Sequence, residues 1–271
     1  MQARSAVFDL YGDHLADHGY WAPISAVVTL TQTCGIQPPA TRTAVSRMVV
    51  QQWLQPRTVG GQRGYAATQA AKDRLRRAHE RIYDPGSTPW DGRWHVVVLE
   101  SPKDRTHRDR LVATMGYLGY GRLSPSTWVS PHRSDELAAS LRETGVEWTD
   151  FHGPSAEDPV RLVQGVWDLD DLAAAYDEFT FDLPELGDVA SLPPEEAYPV
   201  RTELVHRWRK FMFRDPGLPA EVLPPSWPGV TARRRFLEVA GDLQPAARMF
   251  VTGVLAQSRD HASATRGGRD D

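Results

Sequence analysis

Cysteine is almost missing from this chain: Cys34 is the only one among 271 residues. An internal disulfide is therefore excluded, and so is a metal site built from several thiolates. No apolar run approaches the 20 or so residues that a membrane-crossing helix needs. Asp9 falls where a signal peptide stays apolar, so a cytoplasmic location is expected. No nucleophile elbow occurs, and Cys34 has no basic neighbour in sequence, which reads as a small apolar filler. The glycines at 60, 61 and 64 do not make a phosphate loop, because no Lys-Ser/Thr pair or strand-to-helix framing follows. Internal repeats are also missing. These absences point away from an enzyme and call for no cofactor.

The residues that are present suit a globular protein, 41% hydrophobic and 24% charged, long enough for two or three domains. A net charge of −4 argues by itself against a nucleic-acid binder, but its distribution is uneven. Residues 1–85 carry 10 Lys+Arg against 6 Asp+Glu, 86–165 carry 9 against 11, and 166–271 carry 12 against 18. A basic head on an acidic body is the asymmetry expected when one domain meets phosphate and the rest does not.

Hydrophobic spacing organises the head. Ser5 is placed to cap a first helix carrying Val7, Leu10, Tyr11, His14 and Leu15. Tyr20 and Trp21 suggest a short strand. Pro23 opens a second helix, and Pro38-Pro39 a third that runs to about Gln52. Two extended stretches around the Gly60-Gly61 turn follow, then a fourth helix capped by Thr68. Helix, helix, helix, hairpin, helix is the order of a winged helix-turn-helix, assigned to 1–84, with a linker over 84–89. A β-α-β, α-β pattern over 90–160 suits a ferredoxin-like middle domain. Residues 166–257 read as a helical C-terminal domain ending in a helix pair, and 258–271 as a disordered polar tail. The fold class expected is α+β and multidomain.

The third helix is the most informative segment. Val45, Met48 and Val49 share one face, whereas Thr43, Ser46 and Arg47 project from the other, with Arg42 on the flank. A recognition helix needs this division: the apolar face docks on its domain while short polar and Arg side chains reach bases and phosphates. The hairpin adds Arg57, Gln62 and Arg63 beside flexible glycines, suited to backbone or minor-groove contact. The bland alternative for each is a solvated polar face.

The segment from Arg42 to Val49 followed by Trp53-Leu54 resembles the recognition helix and wing of PaaX-type repressors. The run Pro89 to Trp94, then Ser101-Pro102, Leu118 to Gly121 and Trp128 to Pro131, is similar to that family's middle domain. Leu204 to Phe211, Arg214-Asp215-Pro216 with Leu218-Pro219, and Leu223-Pro224 with Trp227-Pro228-Gly229 resemble its C-terminal signatures. The resemblance spans about residues 4 to 255. Gln52 departs from it, standing where the family pattern calls for Gly. The resemblance implies a homodimeric repressor of an aromatic-acid catabolic operon. It implies release from a palindromic DNA operator by an acyl-coenzyme A thioester such as phenylacetyl-coenzyme A. Phosphates, adenine and an acyl end call for cations, a stacking aromatic and an apolar pocket. His206, Arg207, Trp208, Arg209 and Lys210 offer the first two types, with Arg93 and Arg122 as further cations; a helix C-terminus also favours such cations without any ligand.

Two other readings stay open. The middle segment also resembles the small ferredoxin-like nucleases of CRISPR adaptation, with Glu100 at the place of their metal-binding Asp; the substitution, and the lack of a second acid nearby, argue against metal-dependent cleavage. A ligand-independent architectural DNA binder is the other. His14 and His18 lie one turn apart beside Asp13 and Asp17, but without a third metal ligand they read as a polar helix edge. Asp168, Asp170 and Asp171 suit a helix start better than a cation site. The sequence does not distinguish repression from activation.

Overall fold

The computed structural model is an α+β chain describing residues 1–83, 89–100, 102, 104–155 and 158–267, with side chains at all but 184–185 and 259–267. The expected linker falls mainly on 84–88, and Ser101 lies in the family-like motif; both are outside the described residues.

α1 (Ala3–Asp9) passes into a π-helical turn at Leu10–His14. β1 (Trp21–Pro23) leads into α2 (Ile24–Thr33). α3 (Pro38–Val50) starts with prolines in its first turn, where a missing N–H leaves no helical hydrogen bond unmade. β2 (Leu54–Val59) and β3 (Gln62–Ala67) form a hairpin closed by Gly60 and Gly61, both at positive φ (57° and 77°). Two consecutive left-handed residues define the turn whose twist matches paired strands, and glycine adopts them without a Cβ clash. β1 adds to the far side of β3, giving the antiparallel order β1-β3-β2. Gly64 is required there, because a Cβ would lie 2.4 Å from the Ala22 carbonyl oxygen. α4 (Gln69–Tyr83) follows, with the Thr68 hydroxyl accepting from the Ala71 N–H.

β4 (Trp94–Leu99), α5 (Arg105–Tyr117), β5 (Gly121–Arg122), β6 (Thr127–Ser130), α6 (Leu137–Thr144) and β7 (Trp148–Gly153) alternate as β-α-β-β-α-β. Their sheet is antiparallel in the order β5-β6-β4-β7. Val97, Leu99 and Trp128 pack on one face with Leu111, Met115, Leu137 and Leu141 of the two helices. Trp94 and Val129 bury the other face against Val163 and Val222. Asp104 caps α5 by accepting from the His107 N–H, and its carboxyl sits below the ordinary aspartate range for that reason.

α7 (Pro159–Val166), α8 (Leu169–Asp182), α9 (Pro194–Arg209) and α10 (Pro228–Gly267) complete the chain. The fold divides into two compact units: Met1–Pro85 with Leu183–Trp208 and Arg234–Asp271, and Gly86–Asp182 with Arg209–Arg233.

Several expectations change. α1 begins at Ala3 with Gln2 as its N-cap, so Ser5 lies inside the helix. The expected terminal helix pair is one helix, and the segment from Ser258 continues it to Gly267 instead of being disordered; 268–271 lie outside the described residues. Packing explains the continuity: Ala247, Val251, Val254 and Leu255 enter the core formed by α1, α2, α3 and the hairpin. For the same reason the span 166–257 is not one compact body. Tyr198 of α9 and those residues of α10 belong to the first unit, whereas α7 and α8 belong to the second.

Candidate nucleic-acid interface

α3 divides along its length. Thr41, Ala44, Val45 and Met48 are buried, at spacings of three and four residues that place them on one stripe. The Thr41 and Thr31 hydroxyls share a buried 2.7 Å hydrogen bond, which ties α3 to α2 and satisfies two groups that burial would otherwise penalise. Arg42, Thr43, Ser46 and Arg47 are all exposed on the opposite side. Val50 continues that stripe at the end of the helix and is 81% exposed.

The hairpin presents Arg57 and Arg63 as exposed side chains. The Trp21 indole N–H donates to the Arg57 carbonyl at 3.1 Å, fixing the β2 backbone while leaving the guanidinium outside. Gln62 departs from expectation. It is half-buried, and its side-chain amide donates to the Ser258 carbonyl at 2.7 Å, so it braces the hairpin against α10.

Between α3 and β2 the chain turns at Gln52, whose φ is 58°. A residue with a Cβ pays a steric penalty in this left-handed region that glycine does not. The structure thus supplies a physical reason for the glycine missing from the family-like pattern. Gln52→Gly is expected to raise stability by about 0.5–1 kcal/mol, measured as a higher urea midpoint with unchanged slope.

The electrostatics of the first unit exceed what regional sums reveal. No acid occurs between Asp17 and Asp73, whereas Arg42, Arg47, Arg57, Arg63 and Lys72 fall in that stretch. Asp9 is buried beside the His206 ring, whose Nδ1 lies 2.8 Å from its carboxylate. Asp13 is buried too, receiving the Arg201 Nε–H and Nη–H at 2.8 and 2.9 Å and the Tyr83 hydroxyl at 2.6 Å. The same guanidinium donates to Tyr83 Oη at 2.9 Å and to the Ala240 carbonyl. Two of the acids that dilute the head's charge are therefore turned inward onto α9. The acid-free stretch was readable in the sequence; the inward turn of Asp9 and Asp13 was not.

His14 belongs to this network and not to a solvated helix edge. Its side chain is 4% exposed, with Nε2 3.4 Å from Asp13 and 3.1 Å from the Thr202 hydroxyl. Burial pushes its pKa down to about 4; Asp13 and Asp9 oppose that shift and Arg201 adds to it. The ring is neutral in the fold at pH 5–6, while an unfolded chain binds a proton below about 6.5. Its stabilising contribution is full above about pH 6.5 and is lost as pH falls towards 4. Urea midpoints measured from pH 7 to 5 are expected to fall less steeply for His14→Gln than for the natural protein. Equal slopes would remove His14 from this role. Among the described residues no group of three or more His, Cys, Asp or Glu is arranged to hold a metal ion.

The effector candidates fall in both units. His206 is engaged by Asp9 in the first unit. Trp208 is buried, stacked on Phe236 at 4.6 Å between ring centres, and serves the core. Arg207 lines a cavity of about 380 Å³ with Thr33, Cys34, Val200, Glu203 and Leu204. Cys34 there is a thiol whose pKa burial raises to about 11, so it stays protonated and inert. Arg209, Lys210, Arg93 and Arg122 belong to the second unit. Arg122 wraps its own loop, donating to the Ser124 and Pro125 carbonyls at 3.3 and 3.2 Å and lying 5.8 Å from the Trp128 ring centre. Glu100 is exposed at the end of β4, and Asp168 accepts from the Asp171 N–H as a helix cap.

These features define an α+β protein with a basic helix-and-hairpin surface on one compact unit. Three family models match in succession: a PaaX-like protein model over residues 2–71, the central Cas2-like domain of PaaX over 87–157, and the PaaX-like C-terminal domain over 167–253. The chain belongs to the PaaX family. It is 29% identical over 266 residues to the transcriptional repressor PaaX of Escherichia coli (strain K12), covering 93% of this chain and 84% of that one. It is also similar to the solved structure of the uncharacterized protein Rv0674 from Mycobacterium tuberculosis, with a TM-score of 0.60 and 26% identity. That match covers 93% of this chain and 99% of the other.

Proposed function

We propose that this protein is a transcriptional repressor that binds duplex DNA through a winged helix-turn-helix in residues 1–84, with α3 as recognition helix and the β2–β3 hairpin as wing. The observation that carries the reading is the exposed face of Arg42, Thr43, Ser46 and Arg47, backed by a buried stripe and set in a stretch without acids. Arg pairs with guanine through two hydrogen bonds, and Ser or Thr suits phosphate or a base edge. Arg57 and Arg63 supply backbone contacts from the wing. Kinship with a protein named as a repressor supports repression over activation.

In this reading the β-α-β-β-α-β segment is a ferredoxin-like domain that serves dimerisation and coupling. Two copies place their α3 helices at the half-sites of a palindromic operator, about one helical turn apart or a multiple of it. An acyl-coenzyme A thioester, phenylacetyl-coenzyme A in the first instance, shifts the dimer to a geometry that no longer spans both half-sites. It does so only through its differential affinity for the two shapes. Arg207 and the cavity beside it are the part of the proposed effector set best placed to meet a ligand within one unit.

The test is fluorescence anisotropy with DNA from the protein's own promoter region, at several salt concentrations, followed by titration with the thioester and with the free acid. Salt-sensitive, sequence-preferring binding released by the thioester alone is the expected result. Absence of salt-sensitive binding overturns the regulator reading, and binding that no thioester releases leaves an architectural DNA binder.

A further inference from the structure

We infer that Arg4, Arg74 and the half-buried ring of Trp53 form a second contact patch for the DNA sugar-phosphate backbone, continuous with the end of α3. The inference rests on the DNA-binding reading above and extends it to residues outside the recognition helix and the wing.

Trp53 sits where α3 gives way to β2. Its N–H donates to the Met48 carbonyl at 2.9 Å, and its own carbonyl accepts from the Thr68 N–H at 3.0 Å, so the ring is held by backbone on both sides. The Arg74 guanidinium of α4 lies 5.7 Å from the Trp53 ring centre. Phe8 of α1 meets the same ring edge-on at 5.4 Å, and Arg4 precedes Phe8 by one helical turn on the same face. The exposed stripe of Thr43, Arg47 and Val50 runs along α3 towards this junction. The patch is thus an extension of the proposed groove-reading surface.

What marks the patch is an exposed guanidinium held against an aromatic ring, with a second exposed cation on the neighbouring helix. Some exposed arginines elsewhere on the chain are neutralised by carboxylates: Arg76 with Asp73 at 3.1 Å, Arg214 with Asp171 at 2.7 Å, Arg248 with Asp17 at 3.1 Å. Among the described residues Arg4 and Arg74 have no such carboxylate, and both are exposed. The one acid on α1, Asp9, is turned inward to His206, and Asp73 on α4 is occupied by Gln69 and Arg76. A guanidinium held against an aromatic ring keeps its N–H edge directed outward, the geometry that suits a phosphate oxygen. The partner is accordingly the backbone of a duplex next to the bases that α3 reads, without base preference.

The experiment compares the full-length protein with R4Q/R74Q, with the charge-keeping R4K/R74K and with R76Q, on operator and scrambled duplexes over a range of salt. Each phosphate contact contributes about 0.9 to the slope of log affinity against log salt, so losing two flattens it by about 1.8. R4Q/R74Q is expected to show that change and to weaken both duplexes by the same factor, leaving their ratio unchanged. R4K/R74K should restore most of the slope, and R76Q, with its guanidinium already committed to Asp73, should match the natural protein. Shortening the duplex at its flanks should abolish the difference between R4Q/R74Q and the natural protein. If the natural protein binds with a steep salt dependence and R4Q/R74Q has the same slope, the second patch is wrong while the DNA-binding reading stands. If the natural protein shows no salt-dependent binding, that reading falls and the patch with it. Thermal melts of each variant separate loss of contact from loss of fold, and R4K/R74K keeps the test decisive if R4Q/R74Q melts early.

Discussion

Replacing Arg201 by methionine is expected to destabilise the first unit by about 3–5 kcal/mol, because it strands the Asp13 carboxylate in the interior. Both side chains are only 4% exposed, and the pair is bidentate. Burial is the largest influence on Asp13 and acts against its ionisation; His14, Arg201 and Tyr83 together more than offset it, holding its pKa below the ordinary value. A carboxyl held low stabilises the fold above its unfolded pKa of about 3.9, and that stabilisation is lost as pH falls through the folded value. Arg201→Met removes the cation that makes this possible, so the variant should gain stability relative to the natural protein as pH is lowered towards 4. Asp13→Leu is expected to be costly as well, but the double variant should cost much less than the two singles combined, since neither charge is then left alone. Urea unfolding of the four proteins closes the cycle. Additive losses would mean that the buried pair is not a coupled unit.

Arg47→Ala is expected to weaken operator binding by about 1–3 kcal/mol while changing stability little, because the side chain is exposed and opposite the buried stripe of α3. The comparison that matters is between operator and scrambled DNA. A larger loss on the operator assigns Arg47 to base reading, whereas equal losses with a flatter salt slope assign it to phosphate. Thr41→Val gives the contrasting case from the buried face. It breaks the hydroxyl pair with Thr31 and should lower stability without a matched change in specificity per folded molecule. No loss of DNA affinity in Arg47→Ala would remove the centre of the proposed interface.

Much of this molecule was legible in local sequence. Pro38-Pro39 and the spacing of Val45 and Met48 set the start and the inward face of α3, and Gly60-Gly61 set the hairpin turn, because these are effects of a residue on its own backbone and nearest turns. Gln52 could be singled out from a family-like pattern, and its positive φ explains why glycine belongs there. The alternation of apolar runs over 90–160 gave five of the six elements of the middle segment; the two-residue β5 (Gly121–Arg122) was not separated from the strand that follows it.

Other features required distant parts of the chain to meet. Asp13 and His14 read as a polar helix edge in sequence, and Asp9 as an ordinary acid, since nothing local supplies partners for buried charge. Their partners, Arg201, Thr202 and His206, lie nearly 200 residues away. Trp208 offers a stacking aromatic in sequence but reads more readily as core, and Phe236 stacked on it decides for the core; Gln62 reads as a free wing residue until the Ser258 carbonyl is found beside it. The continuation of α10 past Ser258 has the same origin, because a polar segment holds its helix where the turns before it are packed.

The sequence alone determined which segments are basic, where the α3 start and the hairpin turn fall, and to which family the pattern belongs, because propensity, periodicity and charge act over a few residues. Tertiary structure alone decided which charges face solvent. An ionised side chain is stable in the interior only when a distant partner arrives to compensate its desolvation, and that pairing turns Asp9 and Asp13 inward, away from the solvent of the unit that carries the acid-free α3 and hairpin.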